Sequence, residues 1–222
     1  MEQQAQVFTG PQGTLRYLLA LPAQIGEKDR RWPLLLFLHG RGERGDDLEL
    51  VKLYGLPARL EQVADFEFVT VSPQCPVDTE WAPHAPTLLA LLDDIAARYP
   101  IDPDRVLLTG LSMGARGLWH VACAAPERFA AIVAISGRCE LDDDQLAALH
   151  ALPVRLFHGA LDPVAPPAAS RRIEAVLRAA GGDVQLTLYP EADHDAWTRA
   201  YAQPELYDWL LAQRRPGVDS AL

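Results

Sequence analysis

The sequence predicts an α/β fold, with a mostly parallel central sheet, helices on both faces and no large cap domain. Three observations predict it. Short apolar runs closed by glycine or proline alternate along the chain with stretches of helical periodicity. Several of those runs are apolar throughout, as a parallel strand covered on both faces requires. The 222 residues, 49% of them apolar, are enough to build one core, so a single domain over residues 1–222 is expected.

The elements follow in order. TLRYLLA (14–20) reads as an early strand, and PLLLFLHG (33–40) as a buried parallel strand ended by glycine. FEFVTVSP (66–73) is a third strand, rich in β-branched residues and stopped by proline. TLLALLDDIAARY (87–99) has helical apolar spacing, and Pro100 closes it. RVLLTG (105–110) is a strand, MGARGLWHVACAA (113–125) a helix ending near Pro126, and FAAIVAISG (129–137) another strand. VRLFHGA (154–160) and VQLTLYP (184–190) are two more strands, separated by the helix SRRIEAVLRAAGG (170–182) with its glycine stop. ELYDWLLAQRR (205–215) is a final helix, apolar enough to pack on its own sheet or on a second copy, so a homo-oligomer stays open. The segment between Gly137 and Val154 is too short for a lid domain. Strands alternating with helices impose right-handed crossovers.

Composition narrows the function classes. A net charge of -10 suits a phosphate backbone poorly, so nucleic acid is not an expected partner. Cys75, Cys123 and Cys139 show no C-x-x-C spacing, which fits reduced thiols in a cytoplasmic setting. The start MEQQAQVFTG has neither a basic stretch nor an apolar signal core, and no apolar run is long enough for a membrane span. A chain freed of a leader would read the same way. The expectation is a soluble, cytoplasmic protein. The histidines are scattered, without H-E-x-x-H, so neither metal nor cofactor is expected.

Parallel sheets place ligands at the carboxyl ends of their strands, so residues that do chemistry should follow strands directly. Ser112, in GLSMG, follows RVLLTG and opens a helix. A strand-to-helix elbow exposes such a side chain, and the helix start offers free N–H groups to a developing oxyanion. A plain serine N-cap explains the helix start but not the two flanking glycines. A serine nucleophile needs a general base, and the base an orienting carboxylate, in the chain order Ser, Asp or Glu, His.

Of the later histidines, His150 falls in a helical stretch and His158 inside a strand, where a structural role fits. His194, in PEADHDAW, lies just past the last strand and is the candidate base. Asp162, in HGALDPVAPP, is the candidate acid. Its alternative is a turn former before proline. Asp142, Asp143 and Asp144 are a rival group with the look of a helix start. Asp193 and Asp195 flank the histidine, and sequence neighbours usually point apart. The amide of Met113 and that of Arg41, with Gly42 next, are the candidate oxyanion donors, because LHGRGERGDD follows an early strand.

HGRGERGDD, SPQCP with Trp81, GLSMGARGLW, PERFAAIVAISG, FHGALDPVAP and YPEADHDAWTRAY occur in this order. Together they resemble the carboxylesterase and phospholipase branch of the α/β-hydrolase superfamily, nearest its small, cap-less esterases, over about residues 33–215. The resemblance implies the α/β-hydrolase fold and a Ser112, Asp162, His194 triad. It implies an oxyanion hole on Arg41 and Met113, and a small-molecule ester as substrate. There are three departures, of which the one at Arg138 and Cys139 bears on substrate preference. Ala115 stands where such sequences carry a second glycine. Arg138 and Cys139 follow ISG where glycines are common, which makes Arg138 a candidate substrate contact. Asp193 replaces a glycine before the histidine, and its carboxylate would raise the imidazole's pKa if turned inward. Trp81 and Trp197, with Pro83, are candidates for an aromatic rim, and loop packing explains them equally well. Short-chain or aromatic acyl esters are the expected substrates. Acyl thioesters or lysophospholipids are the alternative, and a non-catalytic binding protein is a third reading.

Overall fold

A computed structural model describes residues 1–217. First in order comes a hairpin, β1 (Gln3–Gly10) and β2 (Gly13–Ala20), followed by the central strand β3 (Trp32–Leu38) and the helix α1 (Gly55–Leu60). Then follow β4 (Val69–Pro73), α2 (Ala85–Arg98), β5 (Ile101–Leu111), α3 (Met113–Ala124) and β6 (Ala131–Ile135). The remaining elements are α4 (Asp143–Ala147), β7 (Val154–Gly159), α5 (Ala168–Ala179), β8 (Val184–Tyr189), α6 (Trp197–Tyr201) and α7 (Pro204–Ala212).

The strands form one sheet in the order β1-β2-β4-β3-β5-β6-β7-β8. β2 runs antiparallel to β1 and β4, and every later pair is parallel. Alternation along each strand divides the core in two. Leu34, Leu36 and Leu38 face α2, α3, α4 and α5, while Leu35 and Phe37 face α1, α6 and α7. All seven residues of β3 are buried. Burying a leucine contributes about 2 kcal/mol, so this run is stable only with layers on both sides.

Every predicted strand is present, with shifted ends. β4 starts at Val69 rather than residue 66, because Phe66 turns to pack edge-on against Tyr207. β5 starts earlier, at Ile101, which pairs with Trp32 of β3. The final helix stops at Ala212, and its Leu206 and Leu210 join the second core layer, so it packs on its own sheet. Residues 136–153 carry only the short α4, and among the described residues no large cap rises over the sheet. Among the described residues, no helix is long and apolar enough to cross a membrane.

Candidate active site

Ser112 stands at the junction of β5 and α3 with φ +50° and ψ -114°. A left-handed backbone costs a non-glycine residue about 1–3 kcal/mol. The surroundings hold it there. Its N–H donates to the Ile135 carbonyl at 2.9 Å. A Cβ on Gly110 would stand 2.8 Å from the Gly114 carbonyl carbon, and one on Gly114 would stand 1.9 Å from the Leu38 carbonyl oxygen. Only hydrogen fits at both places, so α3 can start against the end of β3.

The loops after β7 and β8 are sewn together by their backbones. Ala160 N–H donates to Tyr189 O at 2.9 Å, and Leu161 N–H to Ala192 O at 3.0 Å. Gly159 makes room for this, since a Cβ there would lie 1.8 Å from the Asp193 carbonyl oxygen. Asp162 and His194 are brought together as a result. His194 Nδ1 lies 2.7 Å from Asp162 Oδ2, and His194 Nε2 lies 2.9 Å from Ser112 Oγ. An ionised carboxylate only accepts, so Nδ1 carries the hydrogen and Nε2 is free to accept from the serine hydroxyl.

Burial pushes the Asp162 carboxyl up. The hydrogen bond from His194 and those from the Ala165 and Val164 amides, at 2.9 and 2.8 Å to Oδ1, outweigh it and hold the group below the usual aspartate value. His158 adds a further contact. Its Nε2 lies 3.1 Å from Asp162 Oδ2 and 2.8 Å from Ala165 O, while its Nδ1 faces Ser170 Oγ at 2.7 Å. The structural role expected of His158 therefore includes bracing the acid, which its place in a strand did not reveal.

The loop after β3 reaches the serine from the other side. His39 is buried, and burial lowers its pKa to about 4. Its Nδ1 donates to Gly40 O at 2.6 Å, and its Nε2 accepts from Cys75 N–H at 3.0 Å. The buried Glu43, whose carboxyl burial pushes up, accepts from the Gly40 amide at 2.7 Å. These bonds fix the turn over Arg41–Glu43. Neither the Arg41 nor the Met113 amide has an internal acceptor among the described residues. Both residues line one small cleft with Ser112 and His194.

A family model for phospholipases and carboxylesterases matches residues 54–203. The chain belongs to the phospholipase/carboxylesterase family. Its sheet and helices are those of the α/β-hydrolase fold. One relative is NocK of Nocardia uniformis subsp. tsuyamanensis, a provisionally assigned esterase. It is 29% identical over 146 residues, which are 60% of this chain and 41% of NocK. The crystal structure of a thermostable esterase superposes with a TM-score of 0.82 at 28% identity, over 96% of this chain and 63% of that one. The chain thus spans less than two thirds of both relatives. A ferulic acid esterase from Anaeromyces mucronatus shares the fold, with a TM-score of 0.74 at 14% identity over 96% and 90% of the two chains.

Within this family member the cleft has a volume of about 90 Å³ and is strongly cationic in its lining, with Arg41, Arg116 and Arg138 around Ser112. Ser136, after β6, also lines it. Like Ser112 it has φ +50°, and its buried hydroxyl has no partner among the described residues. No feature of the sequence singled it out.

Neither tryptophan lines this cleft. Trp81 is 1% exposed, so its expected place on an aromatic rim is corrected. It lies under α3, where a Cβ on Gly117 would meet its own Cβ at 2.1 Å, and its Nε1 donates to the His39 carbonyl at 3.0 Å. Trp197 meets the His194 imidazole edge-on at 5.1 Å rather than facing the cleft, with Tyr54 on its other side. Asp193 is exposed and accepts from the Asp195 amide at 3.1 Å, so it does not face the imidazole. In the rival acidic group, Asp142 caps α4 and Asp143 pairs with Arg172 at 2.6 Å, both away from Ser112.

Proposed function

We propose that this chain is a serine hydrolase of carboxylic esters that works through an acyl-enzyme on Ser112. The observation that carries the reading is the continuous hydrogen-bond chain from Ser112 through His194 to Asp162, at 2.9 and 2.7 Å, at the carboxyl ends of β5, β7 and β8. Family membership supports it.

His194 Nε2 takes the hydroxyl proton as Ser112 Oγ attacks the ester carbonyl. The imidazolium that forms is stabilised by Asp162, whose second oxygen is already occupied by two backbone amides. The carbonyl oxygen becomes an oxyanion held by the amides of Arg41 and Met113. His194 then protonates the leaving alcohol. Water, deprotonated by the same histidine, attacks the acyl-enzyme, and His194 returns that proton to Ser112 Oγ as the acyl bond breaks and the acid leaves. The cleft is small, about 90 Å³, which supports short-chain or aromatic acyl esters over long lipid chains.

The test is turnover of 4-nitrophenyl acetate, butyrate and octanoate by the folded protein and by Ser112→Ala. The expected result is hydrolysis favouring the two short esters. The variant should lose at least about 10⁴-fold in kcat. No turnover by the folded parent, or equal turnover by the variant, would sink the reading.

A further inference from the structure

We propose that the cleft selects esters carrying a carboxylate a few bonds from the scissile carbonyl, and that Arg138 is the residue that selects them. This rests on Ser112 being the nucleophile.

The charges in the cleft do not balance. Three arginines line it, and no acidic residue does. Glu80, behind the lining, bridges two of them: it pairs with Arg41 at 2.5 Å and with Arg116. Arg116 also reaches Glu140 at 3.0 Å. Asp162 is committed to His194 and two amides. Arg138 has no carboxylate within 4.0 Å among the described residues, although it stands beside the nucleophile. One guanidinium is left for a ligand.

Its backbone is fixed rather than loose. Gly137 is pressed onto the elbow, where a Cβ would lie 2.4 Å from the Ala115 Cβ and 3.2 Å from the Ser112 carbonyl oxygen. On the other side Cys139 is buried, and Arg172 clamps the carbonyls of Cys139 and Leu141 at 3.2 and 2.8 Å. Arg172 is itself held by Asp143. The fixed backbone sets where the side chain starts, and its guanidinium can bind a carboxylate through two parallel hydrogen bonds. Arg138 lines the same cleft as Ser112 and His194, so the carboxylate is placed in turn on the acyl and on the alcohol side of the ester.

Two matched pairs test this, followed by acid release in a pH-stat. Monomethyl glutarate against methyl pentanoate puts the carboxylate on the acyl side. Carboxymethyl butanoate against propyl butanoate puts it on the alcohol side. In at least one pair kcat/KM for the carboxylate ester should exceed that of its neutral match by about 10-fold or more, the worth of one charge-assisted contact. Arg138→Met should bring that ratio close to one, Arg138→Lys should keep much of it, and added salt should lower it. Arg138 is exposed, so neither variant opens the core. Preference for the neutral ester in both pairs, or a ratio untouched by Arg138→Met, overturns the proposal while leaving the hydrolase reading intact. No turnover of any of the four esters overturns both.

Discussion

Asp162 illustrates how much one side chain depends on its neighbours. One oxygen accepts from two amides of its own loop, and the other faces His194 and His158. Asp162→Asn would place an amide where His194 needs an acceptor and upset the tautomer. Ester turnover should fall about 10⁴-fold. Asp143→Asn, which touches only Arg172 in α5, should stay near the parent. The reverse ranking in the same kinetic assay would move the acid to the α4 group. Arg41 tests a different point. Its assigned role belongs to its amide, and its side chain is an exposed partner of Glu80. Arg41→Ala should therefore cost neutral esters less than about 10-fold in kcat/KM, since an exposed ion pair is worth about 1 kcal/mol or less. A loss on the scale of Ser112→Ala would contradict that assignment.

That Ser112, Asp162 and His194 lie together at the carboxyl ends of strands was legible in the sequence, because each follows a strand of continuous apolar residues, which is easy to read. Trp81 was not. The sequence puts it on a loop after β4, but only packing shows that the loop tucks beneath α3. The pairing of Glu80 with Arg116, 36 positions apart, is likewise a product of tertiary structure.

At the scale of elements, close backbone approach decides the geometry. α3 can start beside β3 only because residue 114 has no Cβ. Gly114→Ala forces a methyl group against the Leu38 backbone, displaces the Met113 amide and breaks the elbow. We expect a clear fall in thermal midpoint, on the order of 1–3 kcal/mol of stability or more, together with lost turnover. Gly26→Ala, with open space around it, is the control and should match the parent in both. Equal melting of the two variants would refute the account of the elbow. β1 escaped sequence reading for a related reason. QQAQVFTG is an edge strand whose side chains are mostly polar, and only Gln3 is buried, so neither apolar alternation nor a continuous run marks it. The short helices α1 and α6 are below the length at which periodicity is visible.

At the scale of the whole molecule, Asp162 and His39 lower stability as pH falls, and Glu43, whose carboxyl burial pushes up, partly offsets them. The Asp162 carboxyl is held low in the folded state, so its stabilisation is present above the ordinary aspartate value and is lost as pH falls through the lowered one. His39 works in the same direction from a higher pH. Its folded pKa is about 4 against an ordinary 6.5. Between those values the unfolded chain takes up a proton that the folded chain refuses, so stability declines by a few kcal/mol as pH falls across that window. The thermal midpoint should fall steadily from about pH 6.5 to about pH 4. His39→Gln, less stable throughout, should show a flatter decline there. A His39→Gln midpoint that declines as steeply as the parent's over that window would show that His39 is not held neutral by burial.

The central claim is that Ser112 is an activated nucleophile, and covalent capture tests it most directly. The folded protein would be incubated with a fluorophosphonate, and the adduct located by mass spectrometry of the intact chain and of its peptides. The account predicts one adduct, on the peptide carrying Ser112, and none on Ser112→Ala or on His194→Ala over the same time. A folded parent that stays unlabelled, or a Ser112→Ala protein labelled to the same extent, would contradict it.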